Sequence, residues 1–542
     1  MNIKTIFITG GVLSSLGKGV TAASLGFLLE RMGLKIALMK LDPYLNIDPG
    51  TMNPFEHGEV YVTDDGTETD LDLGHYHRFT NSPLSKISNA TSGQIYNEVI
   101  QNERKGKYLG RDVQVVPHIT DAIQNRIKAC GAQNPSTDVV LVELGGTVGD
   151  IESSPFLEAA KQYYCAHRNS TFFIHLTYLP FLQTSGEIKT KPTQHSVHEL
   201  QRAGIFPDMI LCRTSKPMSL EHKKKIALNC SVEESCVLEI RDIEGSIYKA
   251  PINLLNEGIL DILAKKLQIT GPAPDLSDWK AMIDKIEHPK GSVKIAIVGK
   301  YIQFDDAYKC IYESLLHSCA HADVKLNLVK INSEEVLDLE EKLQGVQGVL
   351  VPGGFGDRGI EGKIKAASYC RKHKIPYLGI CLGMQTLCIS FARDVLNKKE
   401  ANSTEFNKET KDPVISLLSE QKEIINLGGT MRLGRYPCQL LPGTKAFEAY
   451  NEKIIFERHR HRYEFNSDYK ELFEKNGCKI SGFNPQYGLA EIVEEENHPW
   501  MVGVQFHPEF LSKPDKPHPI FSSFIKASVE FNKKGELCGV QG

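Results

Sequence analysis

Thr9-Gly-Gly-Val-Leu-Ser-Ser-Leu-Gly-Lys-Gly-Val-Thr21 comes directly after the apolar run Ile6-Phe7-Ile8. A buried strand is therefore expected to end there and a helix to start near Lys18. This is where a phosphate-binding loop would sit. Glycines let the backbone approach an anion, successive amide N–H groups and the helix N-terminus supply partial positive charge, and Lys18 adds a full one. The match to the usual pattern is imperfect: five residues rather than four separate Gly11 from Gly17, and Gly19 stands where Ser or Thr is expected. Ser14, Ser15 and Thr21 keep hydroxyls available for phosphate or magnesium. A plain Gly-rich turn is the competing reading.

Outward from this loop, strand-length apolar runs recur between helical patterns: Ile36–Met39, Val113–Val116, Val139–Val142, Thr171–Leu176, Met209–Cys212 and Val237–Ile240. Continuous apolarity with intervening helices predicts a largely parallel sheet covered on both faces, an α/β fold whose ligands sit at the carboxyl ends of the strands.

At 542 residues, with 41% hydrophobic and 24% charged residues, the chain can bury two or more cores. Its net charge of −4 gives no general pull toward nucleic acid or anionic membrane. Thirteen cysteines without C-x-x-C pairs argue against a disulfide framework and a zinc ribbon, and point to a reducing cytoplasm. No apolar stretch reaches the roughly 20 residues a membrane span needs.

At the expected ligand edge, Lys40 opens a Pro-, Gly- and Asn-rich loop to Thr51. The run Asp64-Asp-Gly-Thr-Glu-Thr-Asp-Leu-Asp72 packs carboxylates so densely that a hard cation would relieve their repulsion; a solvated acidic loop is the alternative. Glu143 closes the run Val139–Val142, and together with Asp72 it could hold magnesium against nucleotide phosphates. Gly145–Gly149, Asp150 and Glu152 follow. Lys189-Thr-Lys-Pro-Thr-Gln194 clusters two cations where Pro192 discourages helix and suits a second polyphosphate, which Lys225 could join; ordinary exposed lysines remain the alternative.

Gly271-Pro-Ala-Pro-Asp-Leu-Ser277 and His288-Pro-Lys-Gly-Ser292 interrupt the pattern. The expected division is 1–270, a linker 271–291 with a helix-compatible stretch around Trp279–Ile286, and 292–542. The second half restarts an α/β pattern. In Pro376-Tyr-Leu-Gly-Ile-Cys-Leu-Gly-Met-Gln385 a strand runs into Cys381 with Gly379 and Gly383 on either side, as a sharp strand–turn–helix elbow requires. Val504-Gln-Phe-His-Pro-Glu509 supplies His507 as a base and Glu509 to orient it. In Glu457-Arg-His-Arg-His-Arg-Tyr463 the arginines favour anions over a metal site at His459 and His461. The tail after about Phe531 loses periodicity and is expected to fray.

The blocks Phe7–Gly19, Lys40–Asn46, Asp48–Met52, His57–Val60, Glu68–His75, Glu143, Gly145–Ser153 and Lys189–Gln194 resemble the signature blocks of the CTP synthase family, in the family's order. The Cys381 and His507 blocks resemble a class I, triad-type glutamine amidotransferase domain. The resemblance implies two doubly wound α/β domains with mainly parallel sheets, an amidoligase of phosphate-loop type followed by the amidotransferase. In the first, ATP would phosphorylate the uracil O4 of UTP and ammonia would displace the phosphate. Ser15, Leu16, Gly17, Lys18, Gly19, Val20, Lys40 and Asp72 would serve ATP, with Arg213 and Ile243 at the adenine, and Asp72 and Glu143 would hold Mg2+. Ser14, Lys189, Thr190, Lys191, Pro192, Thr193, Gln194 and Lys225 would hold UTP, and Asp150, Ile151 and Glu152 would face CTP in an overlapping inhibitory site. Cys381 would attack glutamine with His507 and Glu509 assisting, and Gly354 and Leu382 would donate to the oxyanion. Gly383, Met384, Gln385, Glu405 and Arg462 would hold the rest of glutamine. GTP activation through a lid containing Phe355–Gly359, a homotetramer and a cytoplasmic setting also follow from the resemblance alone.

Two departures stand out: Glu56 replaces a usual Gln, and Asp242–Tyr248 is one residue longer than the usual turn. Two other readings compete. One is an amidoligase acting on a carboxylate, such as a cobyrinic-acid amidase, for which a second polyphosphate cradle has no purpose. The other is an idle nucleotide-sensing or filament protein, which would be expected to lose Lys18, Asp72 or Cys381.

Overall fold

The computed structural model describes residues 3–417 and 431–539. The chain forms two compact units, Met1–Thr51 with Asp72–Ile283, and Met52–Leu71 with Asp284–Gly542. The segment 52–71, expected within the first domain, thus folds with the second half. The expected linker is largely helical (Ser277–Glu287), and the division between units falls inside that helix. Trp279 on it is buried against Phe27, Phe79 and Tyr248 of the first unit.

The first unit is built on a seven-stranded sheet in the order 237–241, 209–214, 171–178, 4–10, 139–144, 36–42, 89–91. All its pairings are parallel. The central strands Lys4–Gly10, Ile36–Asp42 and Val139–Leu144 are buried almost throughout, which is why they read as unbroken apolar runs. Five of the six runs quoted above are strands. Val113–Val116 is not: Val115 and Val116 are exposed and enter a single π-turn, Val115–Ile119. The short strand Asn89–Thr91 was not visible in the pattern because polar residues occupy it.

The second unit carries a nine-stranded sheet. Strands 324–332, 291–299, 348–351, 377–380 and 501–504 are parallel, and 490–495, 478–483, 432–440 and 454–461 extend it antiparallel. A final helix, Pro519–Gly539, continues through most of the tail expected to fray; residues 540–542 lie outside the described residues. No helix among the described residues is long and apolar enough to cross a membrane.

Candidate functional site

Helix Lys18–Arg31 begins at the lysine, as expected. The preceding turn is contorted: Val12, Ser15 and Gly17 have φ of 77°, 58° and 92°. Lys18 folds back over Gly10, where a Cβ would lie 2.9 Å from its Cδ, and its Nζ donates to Gly146 O at 2.7 Å. Burial lowers the Lys18 pKa. The glycine that broke the phosphate-loop pattern has a steric reason, since a Cβ at Gly19 would stand 2.1 Å from Asp72 Oδ1. The carboxylate occupies the space that Ser or Thr would have filled.

Lys40 and Glu143 are register partners on adjacent parallel strands. Asp72 opens the helix Asp72–Phe79, and the buried Lys40 ammonium lies 3.1 Å from Glu143, 3.7 Å from Asp42 and in a short ion pair with Asp72. Tyr76, one turn along the helix, donates to the second Glu143 oxygen. Burial would raise the Asp72 pKa, but Lys40, His75 and Lys18 outweigh it and hold the carboxyl low. Glu143 is raised by burial and by Asp72, and Asp42 by burial. Asp42 and Tyr76 were not singled out in the sequence; Asp42's position two residues past Lys40 on the same strand was the available signal. Among the described residues no three His, Cys, Asp or Glu side chains form a closed metal cage. Two carboxylates sharing a lysine beside a phosphate loop do fit a hard cation that takes its other ligands from phosphates and water.

Leu16, Gly17, Val20, Arg213 and Ile243 line one cavity of about 190 Å³ with Ile240 and Asn253. Arg213 is fixed there by Ser15 O at 2.9 Å and Asp242 at 2.8 Å. Pro192, expected to discourage a helix, instead occupies the first turn of Lys191–Arg202, where its missing N–H costs nothing. Thr193 is buried on Thr177 and Tyr178 O, and Gln194 donates to Thr190 Oγ1. Lys189 pairs with Glu187 at the surface. Lys225 is exposed in the middle of helix Leu220–Cys230 rather than at its start. Asp150 borders a second cavity, about 370 Å³, with Gly149 and Glu199. Ser14, Ile151 and Glu152 are exposed.

In the second unit, Cys381 caps the helix Leu382–Asp394 at φ 51°, ψ −104°. The flanking glycines are sterically required: a Cβ at Gly379 would meet Gly383 backbone at 2.5 Å, and one at Gly383 would meet Val351 O at 2.1 Å. His507 Nδ1 is 2.8 Å from Glu509 Oε1, and its buried Nε2 has no hydrogen-bond partner among the described residues. Burial alone would lower the His507 pKa, but the Glu509 carboxylate and the Cys381 sulfur raise it to about 10. A Cβ at Gly353 would touch both His507 and Cys381, so the 352–355 loop passes directly over the pair.

Gln385 donates to Tyr463 O and Gln505 Oε1, and Gln505 also reaches Cys381 Sγ at 3.7 Å. Glu405 accepts from Gly356 N at 2.9 Å and feels the charge of Arg462; burial raises its pKa. Leu382 and Met384 are buried, and Leu382 Cδ2 lies 3.6 Å from where a Gly354 Cβ would be. Two buried lysines missed in the sequence brace the loop: Lys363 donates to Pro352 O and Lys300 to Phe355 O. Lys300 directly follows a buried strand, as Lys40 nearly ends one. His459 and His461 belong to a buried set with Arg432, Glu464 and Glu491, where the guanidinium supplies the positive charge.

A phosphate-gripping loop on one parallel sheet and a cysteine elbow on another, in one chain, define a glutamine-hydrolysing ligase. Residues 4–269 match the family model described as CTP synthase N-terminus, and residues 303–527 match that of class-I glutamine amidotransferases. The chain is 56% identical over 537 residues to a CTP synthase of Protochlamydia amoebophila, covering 98% of this chain and 99% of that protein. It is 56% identical to the CTP synthase of Chlamydia caviae and 55% to that of Chlamydia trachomatis serovar A, with 98% of this chain covered in each case and 99% and 98% of those proteins. A solved glutaminase domain of a Trypanosoma brucei CTPS with bound acivicin is 36% identical, covering 44% of this chain and 94% of that one, with a TM-score of 0.42. The chain belongs to the CTP synthase family.

Proposed function

We propose that the chain aminates UTP to CTP with ATP, using ammonia that it releases from glutamine. The observation that carries this reading is the presence of two complete side-chain sets in one chain, Lys18–Lys40–Asp72–Glu143 and Cys381–His507–Glu509.

In the first unit Lys18 and Lys40 would hold the phosphoryl group passing from ATP to the uracil O4, and ammonia would then displace phosphate from the 4-phosphorylated UTP. Asp72 and Glu143 would hold Mg2+, which when bound neutralises phosphate charge. The Arg213–Ile243 cavity suits the adenine, and the N-terminal turn of Lys191–Arg202 with Lys189 and Ser14 suits the UTP phosphates. In the second unit His507 takes the Cys381 proton, the thiolate attacks the glutamine amide carbon, and backbone N–H groups of Gly354 and Leu382 hold the oxyanion. His507 returns the proton to the departing ammonia, and water releases glutamate from the thioester. Gln385, Glu405 and Arg462 would orient glutamine. GTP activation at the Phe355–Gly359 lid, CTP inhibition near Asp150, a cytoplasmic setting and a homotetramer complete the proposal. The exposed Leu109, Val115, Val116 and Ile151 give a tetramer apolar surface to cover.

The test is CTP formation from UTP, ATP and magnesium, fed with glutamine or with ammonium, in the parent and in Cys381→Ala. The variant should lose only the glutamine-driven reaction. A parent that makes no CTP from ammonium would mean the first unit acts on another acceptor.

A further inference from the structure

The carboxylates of the acidic run 64–72 are divided between two tasks. Asp72 meets Lys40, whereas Asp64 and Glu68 lie on a short hairpin, Tyr61–Val62 paired with Glu68–Thr69, that folds with the second unit. Two arginines there, and no cation from solution, answer the charge of these two carboxylates. Arg458 Nε lies 2.6 Å from Asp64 and its Nη1 donates to Tyr61 OH; Arg460 Nε lies 2.6 Å from Glu68. Glu68 and Arg458 are buried.

The same two arginines hold the cysteine site by their backbone. Arg458 O accepts from His507 N at 2.7 Å, and Arg460 O accepts from the Cys381 thiol at 3.8 Å. Tyr61 OH donates to Phe510 O at 3.3 Å, and the Phe510 ring stacks on His507 with centroids 5.2 Å apart. The hairpin's seat is built by paired glycines. Gly66 and Gly434 have φ of 82° and 93°, and a Cβ on Gly434 would stand 2.6 Å from Gly66 N. Arg435 N donates to Asp64 O at 2.9 Å beside them.

We infer that Asp64 and Glu68, encoded within the ligase half of the sequence, are positioning residues for glutamine hydrolysis, setting the strand Ile454–His461 through Arg458 and Arg460 and with it the spacing of Cys381 and His507. The inference rests on the glutaminase reading of that pair. Neutralising the carboxylates leaves two largely buried guanidinium groups unpaired, and the strand must shift to rehydrate them. A shift of about 1 Å between nucleophile and base is worth up to about 100-fold in rate.

The experiment uses the full chain carrying Asp64→Asn with Glu68→Gln. It reads glutamine hydrolysis, ammonium-driven CTP formation, and the rate of Cys381 alkylation by iodoacetamide followed by peptide mass spectrometry. The kcat for glutamine hydrolysis should fall about tenfold or more with the glutamine KM within about twofold of the parent. The Cys381 alkylation rate should change, the ammonium reaction should keep the parental rate, and Asp64→Glu alone should keep the parental kcat. An unchanged kcat, or an equal fall with both nitrogen sources, would overturn the inference. A parent inactive with ammonium would sink the proposed function instead, while the hydrolysis and alkylation readings would still decide this one.

Discussion

His507 Nδ1 and Glu509 Oε1 are 2.8 Å apart, joined across the single residue Pro508, in a site where both side chains are buried. The carboxylate fixes the ring so that Nε2 is left for the sulfur, and it keeps the ring charged: the His507 pKa rises from 6.5 to about 10 against the pull of burial.

Glu509→Gln should therefore lower kcat for glutamine hydrolysis about 100-fold or more while sparing the ammonium reaction. It should also change the pH dependence of stability. A histidine whose pKa is raised on folding stabilises the fold fully below its unfolded value of 6.5, and that contribution is lost as pH rises through about 10. The Tm gap between parent and variant should be widest near about pH 6 and close by about pH 10 in melts across that range. A gap that widens with pH would contradict the assignment.

Lys40→Met leaves Asp42, Asp72 and Glu143 without their shared ammonium. Breaking a buried pair on one side costs about 3–5 kcal/mol, so the first unit should melt earlier, and millimolar magnesium should recover part of the loss. CTP formation should vanish with either nitrogen source while glutamine hydrolysis persists. Surviving ammonium-driven synthesis would remove Lys40 from the reaction.

The parallel sheet and the cysteine elbow were legible because they depend on local pattern. Buried parallel strands are apolar on both faces, and only glycines fit at 379 and 383. Val113–Val116 misled because a short apolar run carries no record of whether anything covers it. Pro192 misled because the residue that ends a helix is also welcome in its first turn. The allegiance of residues 52–71 is long-range: nothing near Asp64 in the sequence announces Arg458. Lys300 and Lys363 were invisible for a related reason, since an isolated lysine reads as surface until the carbonyl that holds it is known.

Gly383→Ala tests the elbow directly. Its Cβ would stand 2.1 Å from a backbone oxygen that no side-chain movement can relieve. The strand 348–351 or the helix Leu382–Asp394 must move, at a cost of about 3 kcal/mol, and glutamine hydrolysis should fall below detection. Denaturant melts and hydrolysis assays read the two effects, and a variant with parental hydrolysis would show that the elbow tolerates a methyl group.

Trp279 ties the helix Ser277–Glu287 to the first unit. Its ring is 4.3 Å from Phe27, 5.6 Å from Tyr248 and 5.8 Å from Phe79, centroid to centroid, and its Nε1 donates to Tyr248 O at 2.7 Å. Truncation to alanine removes this packing and leaves the Tyr248 carbonyl without its donor, so Trp279→Ala should cost about 3–5 kcal/mol. The sequence has two tryptophans, and Trp500 lies in the second unit. Trp500 fluorescence therefore follows one unit, while loss of ammonium-driven CTP formation on heating follows the other. In Trp279→Ala the ammonium activity should fail at a lower temperature while the Trp500 transition stays at its parental midpoint. Coincident shifts of both would show that the two units unfold as one.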